Sequence, residues 1–167
     1  MEIERKFLLN EIPNNLEQYL FHEIEQAYLC INPVIRIRKE DDEYYLTYKG
    51  SGLLAREEYN LPLTQDGYLH LLTKMDGVLI RKRRYCIPIL DPLFYDEKGI
   101  PSHDPLAPKL TLELDFFDEP FSPLILGEVE FPSLELANTF VPPAYFKEEV
   151  THNPLYHNSN MAFRFST

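Results

Sequence analysis

A mainly β protein (α+β), an antiparallel sheet with short flanking helices, is what this sequence predicts, and three observations carry that expectation. Apolar and polar residues alternate with period two along most of the 167 residues. The alternating runs are separated by Gly, Pro, Asn and Asp, the residues that turns require. Helical spacing is confined to short stretches between the runs.

Taken in order, MEIERKFL reads as a first strand, and NEIPNNLEQYLFH, with Pro13 near its start, as a short helix or turn. EIEQAYLCI is a strand ended by Asn32-Pro33. PVIRIRK and YYLTYKG form a hairpin through the polar EDDE loop, and SGLLAREEYNLPL adds a strand after a Gly-Ser break. TQDGYLHLLTKM pairs a Thr64 cap with helical spacing of Tyr68, Leu71, Leu72 and Met75. VLIRKRRYCIPIL is a strong strand. Residues 91–109, with Pro92, Pro101, Pro105 and Pro108, read as a long loop or a surface insertion rather than a lid. KLTLELDFF and LILGEVEF are strands around a DEPFSP turn, LELANTFV is a short helix, and the tail from Pro142 is short helical or irregular.

The composition is 44% hydrophobic and 26% charged, with no Trp, which suits one domain spanning residues 1–167. No apolar run reaches the roughly 18 residues of a membrane-spanning helix. The charged start does not resemble a secretory leader. Cys30 and Cys86 stand alone on apolar strands, so neither a disulfide framework nor a zinc site is expected, and a reducing cytoplasm is the expected compartment. A net charge of −11 argues against binding nucleic acid or an anionic membrane, though a small anion can still meet a local basic cluster. The five histidines are scattered and read as surface or tail residues, and Tyr28, Tyr45 and Tyr48 as strand packing. No P-loop, nucleophile elbow or Gly-rich phosphate cradle is present.

The chemistry lies in the strand faces. Glu2, Glu4 and Lys6 share one face of the first strand, and Arg36 and Arg38 share one face opposite Ile35 and Ile37. Lys49 lies with Tyr45 and Thr47, Lys82 and Arg84 with Ile80, and Arg56 with Glu58 and Asn60. Glu113 and Asp115 oppose Leu112 and Leu114, and Glu128 and Glu130 oppose Val129 and Phe131. One reading is a solvated outer face, common in antiparallel sheets. The other is convergence on a closed interior, where Arg and Lys bind phosphate oxygens and paired carboxylates hold a hard divalent cation.

In order along the chain, MEIERK, RIRK, YLTYKG, REEYN, IRKRRY, LELD, GEVEF and the tail segment EVTHNPLYHNSNMA resemble the signature of the CYTH superfamily, the triphosphate tunnel metalloenzymes. The resemblance implies a closed antiparallel β-barrel of about eight strands around a charged tunnel. It implies triphosphate binding by Lys6, Arg36, Arg38, Lys49, Lys82, Arg84 and, less securely placed, Arg56. Glu2, Glu4, Glu128 and Glu130 would hold Mg²⁺ or Mn²⁺, with Glu2, Glu4 and Lys6 at the chemical step. Glu58, Glu113 and Asp115 would orient the basic groups. The implied activity is metal-dependent hydrolysis of a small-molecule triphosphate, inorganic tripolyphosphate above others, in a monomer or homodimer. A class IV adenylyl cyclase, a thiamine triphosphatase and a non-catalytic polyphosphate binder are the alternatives. Asn60, where relatives carry a further acid, and Asn153 and Leu155, where they often carry Asp and Arg, depart from the pattern.

Overall fold

The structure is a computed structural model that describes residues 1–164. Its strands are β1 (Glu2–Leu9), β2 (Leu20–Ile31), β3 (Val34–Glu40), β4 (Glu43–Lys49), β5 (Ala55–Arg56), β6 (Glu58–Pro62), β7 (Asp76–Ile89), β8 (Leu93–Tyr95), β9 (Pro101–His103), β10 (Leu110–Phe117), β11 (Ile125–Glu130), β12 (Phe140–Val141) and β13 (Phe146–Glu149). The helices are α1 (Gln65–Leu72), α2 (Leu134–Thr139) and α3 (Asn158–Met161), and none is long and apolar enough to cross a membrane.

Ten strands make one antiparallel sheet in the order β13-β1-β11-β10-β7-β2-β3-β4-β6, with β5 returning to pair with β1. The ladder curls strongly, but the expected closed eight-stranded barrel is corrected to a half-open one. The closing seam holds only the pairs Glu2↔Arg56 and Ile3↔Ala55. The reason is that one edge of β1 is divided. Its first residues take β5, while Phe7, Leu8 and Leu9 pair with β13.

Period-two alternation sends the charged face of each strand inward and the apolar face outward. Outside, Ile3, Phe7, Leu112, Leu114 and Val129 pack in one cluster with Ala137 of α2, Phe140 of β12 and Phe94 of β8. On the other flank, Tyr68 of α1 covers Ala27 and Ile37. The Thr64 hydroxyl caps α1 by accepting from the Gly67 amide, as the sequence suggests.

Three expectations are revised. Residues 91–109 include β8 and β9, which join β12 in a three-stranded sheet against the outer apolar layer. In the stretch 10–22 the expected short helix or turn is a 3₁₀ turn at Leu16–Gln18, but β2 begins earlier than expected, at Leu20, because residues 20–23 find partners on β7. The tail contains a strand, β13, whose Phe146-Lys-Glu-Glu sequence shows no alternation of its own. Finally, one end of the interior is filled with apolar side chains. The inward face ends in an apolar layer of Leu8, Tyr28, Val34, Ile80, Phe117 and Leu126, packed on Met161 and Ala162 of the tail.

Gly77 marks how tightly that tail docks. Its φ of +70° lies in the left-handed region, and a Cβ there would meet the Ala162 carbonyl oxygen at 2.4 Å. The Val78 amide donates to the same carbonyl at 2.8 Å. Gly77→Ala is therefore expected to lower stability by about 2 kcal/mol or more, read as a shifted urea midpoint, because strain and clash act together.

Candidate functional site

Cross-strand register sets the charges in rings. Lys6 faces Glu128 and Glu4 faces Glu130 across β1 and β11, Glu128 faces Glu113, and Asp115 faces Arg84. On the opposite wall Arg38 faces Gln26, Arg36 faces Thr47, and Lys49 faces Glu58, while Glu2 faces Arg56 at the seam. A cavity of about 780 Å³ results. Glu2, Glu4, Lys6, Arg36, Arg38, Lys49, Arg56, Glu58, Lys82, Arg84, Glu113, Glu128 and Glu130 all line it. Asp115 alone of the expected residues does not. It is fully buried behind Lys82 and Arg84, where it takes Lys82 Nζ at 2.6 Å and Arg84 Nε and Nη2 at 2.7 and 2.8 Å.

Most cations on the β1, β7, β10 and β11 side are neutralised. Arg84 also donates to Glu113 and, at 2.7 Å, to Glu128. Lys6 bridges Glu128 and Glu4, the latter at 2.9 Å, and these carboxylates hold its ammonium above the ordinary range despite burial. Lys82 is pulled down to about 8 by burial, with Asp115 opposing and Arg84 reinforcing the shift. Lys49 sits between Glu2 at 2.8 Å and Glu58 at 3.0 Å, yet burial and Arg36 hold it below its usual value. Arg56 reaches Glu2 at 3.4 Å and Glu4 at 3.9 Å.

Two parts of the cavity are incompletely compensated, with opposite sign. On β3, Arg38 is held by Gln26 Oε1 at 3.0 and 2.7 Å, and its nearest carboxylate is Glu40 at 3.6 Å. Among the described residues Arg36 donates to Thr47 Oγ1 at 3.1 Å and lies against the Tyr28 hydroxyl, and its buried Nε has no partner. Across the cavity, burial and the neighbouring Glu4 push Glu2 up to about 7, against the pull of Lys49. Glu130 is raised by burial and by Glu113, Glu58 and Glu4, and Glu113 is raised by burial against the opposing pull of Arg84. The site is thus uneven in charge: among the described residues Arg36 has no carboxylate partner and Glu130 no cation partner, while Glu2 and Glu113 stay raised despite Lys49 and Arg84.

Those carboxylates are hard oxygen donors, the chemistry that suits Mg²⁺ or Mn²⁺. Among the described residues no three His, Cys, Asp or Glu side chains form a ready-made metal cluster.

The structure adds Gln26 to the site and moves Tyr28 and Tyr45, read from the sequence as strand packing, to the cavity wall. Gln26 and Tyr28 follow Ile24 on the inward face of β2, and Tyr28 lines the cavity. Tyr45 also lines it, donating to Glu40, while Tyr48 packs on Tyr59 as expected. Asn60 keeps a neutral link, accepting from Thr47 at 2.6 Å and donating to Glu58 at 2.9 Å. Alternation along β2 and β4 was the available signal for these. His157, read as a surface or tail residue, is a tail residue and is buried beside the cavity, its Nε2 2.8 Å from the Thr151 carbonyl. Burial lowers its pKa, and Lys6 and Arg56 push it the same way. The only sequence signal for His157, Asn158 and Ser159 is that they lie in the tail segment EVTHNPLYHNSNMA of the family resemblance; the docking of the tail is what brings them to the cavity.

Three comparisons bear on this arrangement. The family model described as the CYTH domain matches residues 1–137. The inorganic triphosphatase of Nitrosomonas europaea is 32% identical over 164 residues, which is 96% of each chain. A crystal structure of an inorganic triphosphatase superposes with a TM-score of 0.66 at 29% identity, covering 100% of this chain and 97% of that one. A putative adenylate cyclase from Bacillus halodurans, 15% identical with a TM-score of 0.54 over 83% of this chain and 84% of that one, shares the fold.

Glu2 gives a pH test. Its folded value, about 7, lies above its ordinary 4.5, so the folded state binds the proton more tightly. Its contribution is fully present below pH 4.5 and is lost as pH rises through 7. In metal-free protein, stability measured by urea unfolding should lose up to about 3 kcal/mol from this source across that window. Glu2→Gln should flatten that fall, and an unchanged slope would refute the assignment.

Proposed function

The chain belongs to the CYTH domain family, and on that footing we propose that it hydrolyses a phosphoanhydride bond of a triphosphate with the help of Mg²⁺ or Mn²⁺, inorganic tripolyphosphate being the favoured substrate. The observation that carries this reading is the uneven charge of the cavity. An elongated polyanion with a divalent cation on one flank supplies both missing charges at once.

In this reading Arg36 and Arg38 grip phosphate oxygens first, because among the described residues no carboxylate lies closer to either than Glu40, 3.6 Å from Arg38. Lys6, Lys49, Arg56, Lys82 and Arg84 complete the cradle. Asp115, Glu113 and Glu58 keep those side chains extended into it, which spares reorganisation when the anion arrives. Glu2, Glu4, Glu128 and Glu130 would hold the cation, which neutralises phosphate charge and lowers the pKa of bound water. Glu2 and Glu4 accept hydrogen bonds from the attacking water and orient it, and a carboxylate titrating near 7 is a competent proton acceptor at neutral pH. Water adds to a terminal phosphorus and the bridging P–O bond breaks, giving orthophosphate and pyrophosphate. Positioning and charge neutralisation carry most of the rate in such transfers.

The test is product analysis with tripolyphosphate, ATP and thiamine triphosphate, with Mg²⁺, Mn²⁺ or a chelator. Orthophosphate release from tripolyphosphate that stops with the chelator is the expected result. Glu4→Gln should lower kcat by about a hundred-fold or more while keeping the unfolding midpoint, since Lys6 retains Glu128. Tight binding of tripolyphosphate with no phosphate release under either metal would point instead to a binding protein.

A further inference from the structure

The closed end of the cavity carries a polar group that the hydrolytic reading leaves idle. Asn158 lines the cavity, its buried Oδ1 has no hydrogen-bond partner, and its carboxamide makes no side-chain hydrogen bond among the described residues. A buried polar atom left unpaired is costly, so a fold that retains one invites an explanation in a ligand.

The position of Asn158 is enforced from several sides. The Thr151 hydroxyl accepts from the Lys6 amide at 3.0 Å, and the Val150 amide donates to the Lys6 carbonyl at 2.8 Å. His157 is tied to the Thr151 carbonyl, and Met161 and Ala162 pack on Tyr28 and Val34. Tyr28 is the cross-strand neighbour of Arg36, and Val34 lies two residues before it on the same face. The tail therefore presents an unpaired carboxamide at the end of the cavity where the unpaired Arg36 Nε also lies. A guanidinium can only donate, whereas a carboxamide both donates and accepts. Together they match a group that is a hydrogen-bond acceptor and also carries a proton or a bound water. The end of a phosphate chain, with its several oxygens and partial protonation near neutrality, is such a group.

We infer that Asn158 is a specificity-determining residue of the cavity, its carboxamide contacting the unsubstituted terminal phosphate of the bound anion at the closed end. This rests on the triphosphate reading above. It orients the substrate: the free terminal phosphate lies inward against the tail, and any organic substituent lies at the open mouth.

The test is calorimetric titration of metal-free protein with tripolyphosphate, comparing wild type with Asn158→Ala and the near-isosteric Asn158→Leu, alongside thermal unfolding of each without ligand. Both variants should bind tripolyphosphate about ten-fold more weakly, one hydrogen bond to a charged group, while their ligand-free Tm stays equal or rises. Asn158→Asp, which sets a carboxylate against the anion, should weaken binding further. Unchanged affinity in Asn158→Leu overturns the inference and leaves the triphosphate reading standing. Weaker binding with a matching fall in ligand-free Tm in both variants also overturns it, since the residue would then serve the fold alone. A wild-type protein that binds no tripolyphosphate, either metal-free or in a parallel titration with added Mg²⁺, overturns both readings together.

Discussion

Burying charge inside a sheet is the constraint on which the rest of this structure depends. Asp115, Lys82, Lys6, Arg84 and Glu128 are all buried, and such groups are tolerated only when each has partners in good geometry. Asp115 meets this by serving two cations, and Lys6 by lying between two carboxylates. Because one face of every strand is committed to that network, the apolar face must turn outward and needs its own cover. The small outer sheet, α2 and α1 supply it, which makes their packing part of the site's support.

Compensation stops short at two places, and the shortfall gives the cavity its chemistry. A fully paired interior would be an inert ionic core. Here, among the described residues, Arg36 has no carboxylate partner and Glu130 no cation partner, and Glu2 and Glu113 keep raised pKa values despite Lys49 and Arg84. Preorganised charges of this kind act strongly because little water screens them.

β1 has a structural duty beyond its three charged residues. One edge carries the β11 ladder, and the other is shared between the closing seam and β13. Arg5, on the outer face, fastens this arrangement. It pairs with Glu149 of β13 and donates to the carbonyls of Ala137 and Phe140, so β1, β13 and α2 are held from one side chain. The same strand thus ties the metal-type carboxylates of the site to the tail that closes its floor.

The sequence by itself determined the long strands of the main sheet, their two faces and nearly every charged residue of the cavity. Period two is a local property: once MEIERK, RIRK, IRKRRY, LELD and GEVEF are strands, their charged residues must share faces. What it left open was whether those faces met water or one another, since alternation reads identically in both cases. Tertiary structure decided that through the curl of the sheet. It also decided that Asp115 lies behind the cavity wall, that β1 divides its edge and leaves the barrel half open, and that residues 146–149 form a strand. His157 and Asn158 reach the cavity for the same reason. Edge allocation and tail docking depend on partners more than a hundred residues away, as between Lys6 and Thr151, and no local pattern encodes them.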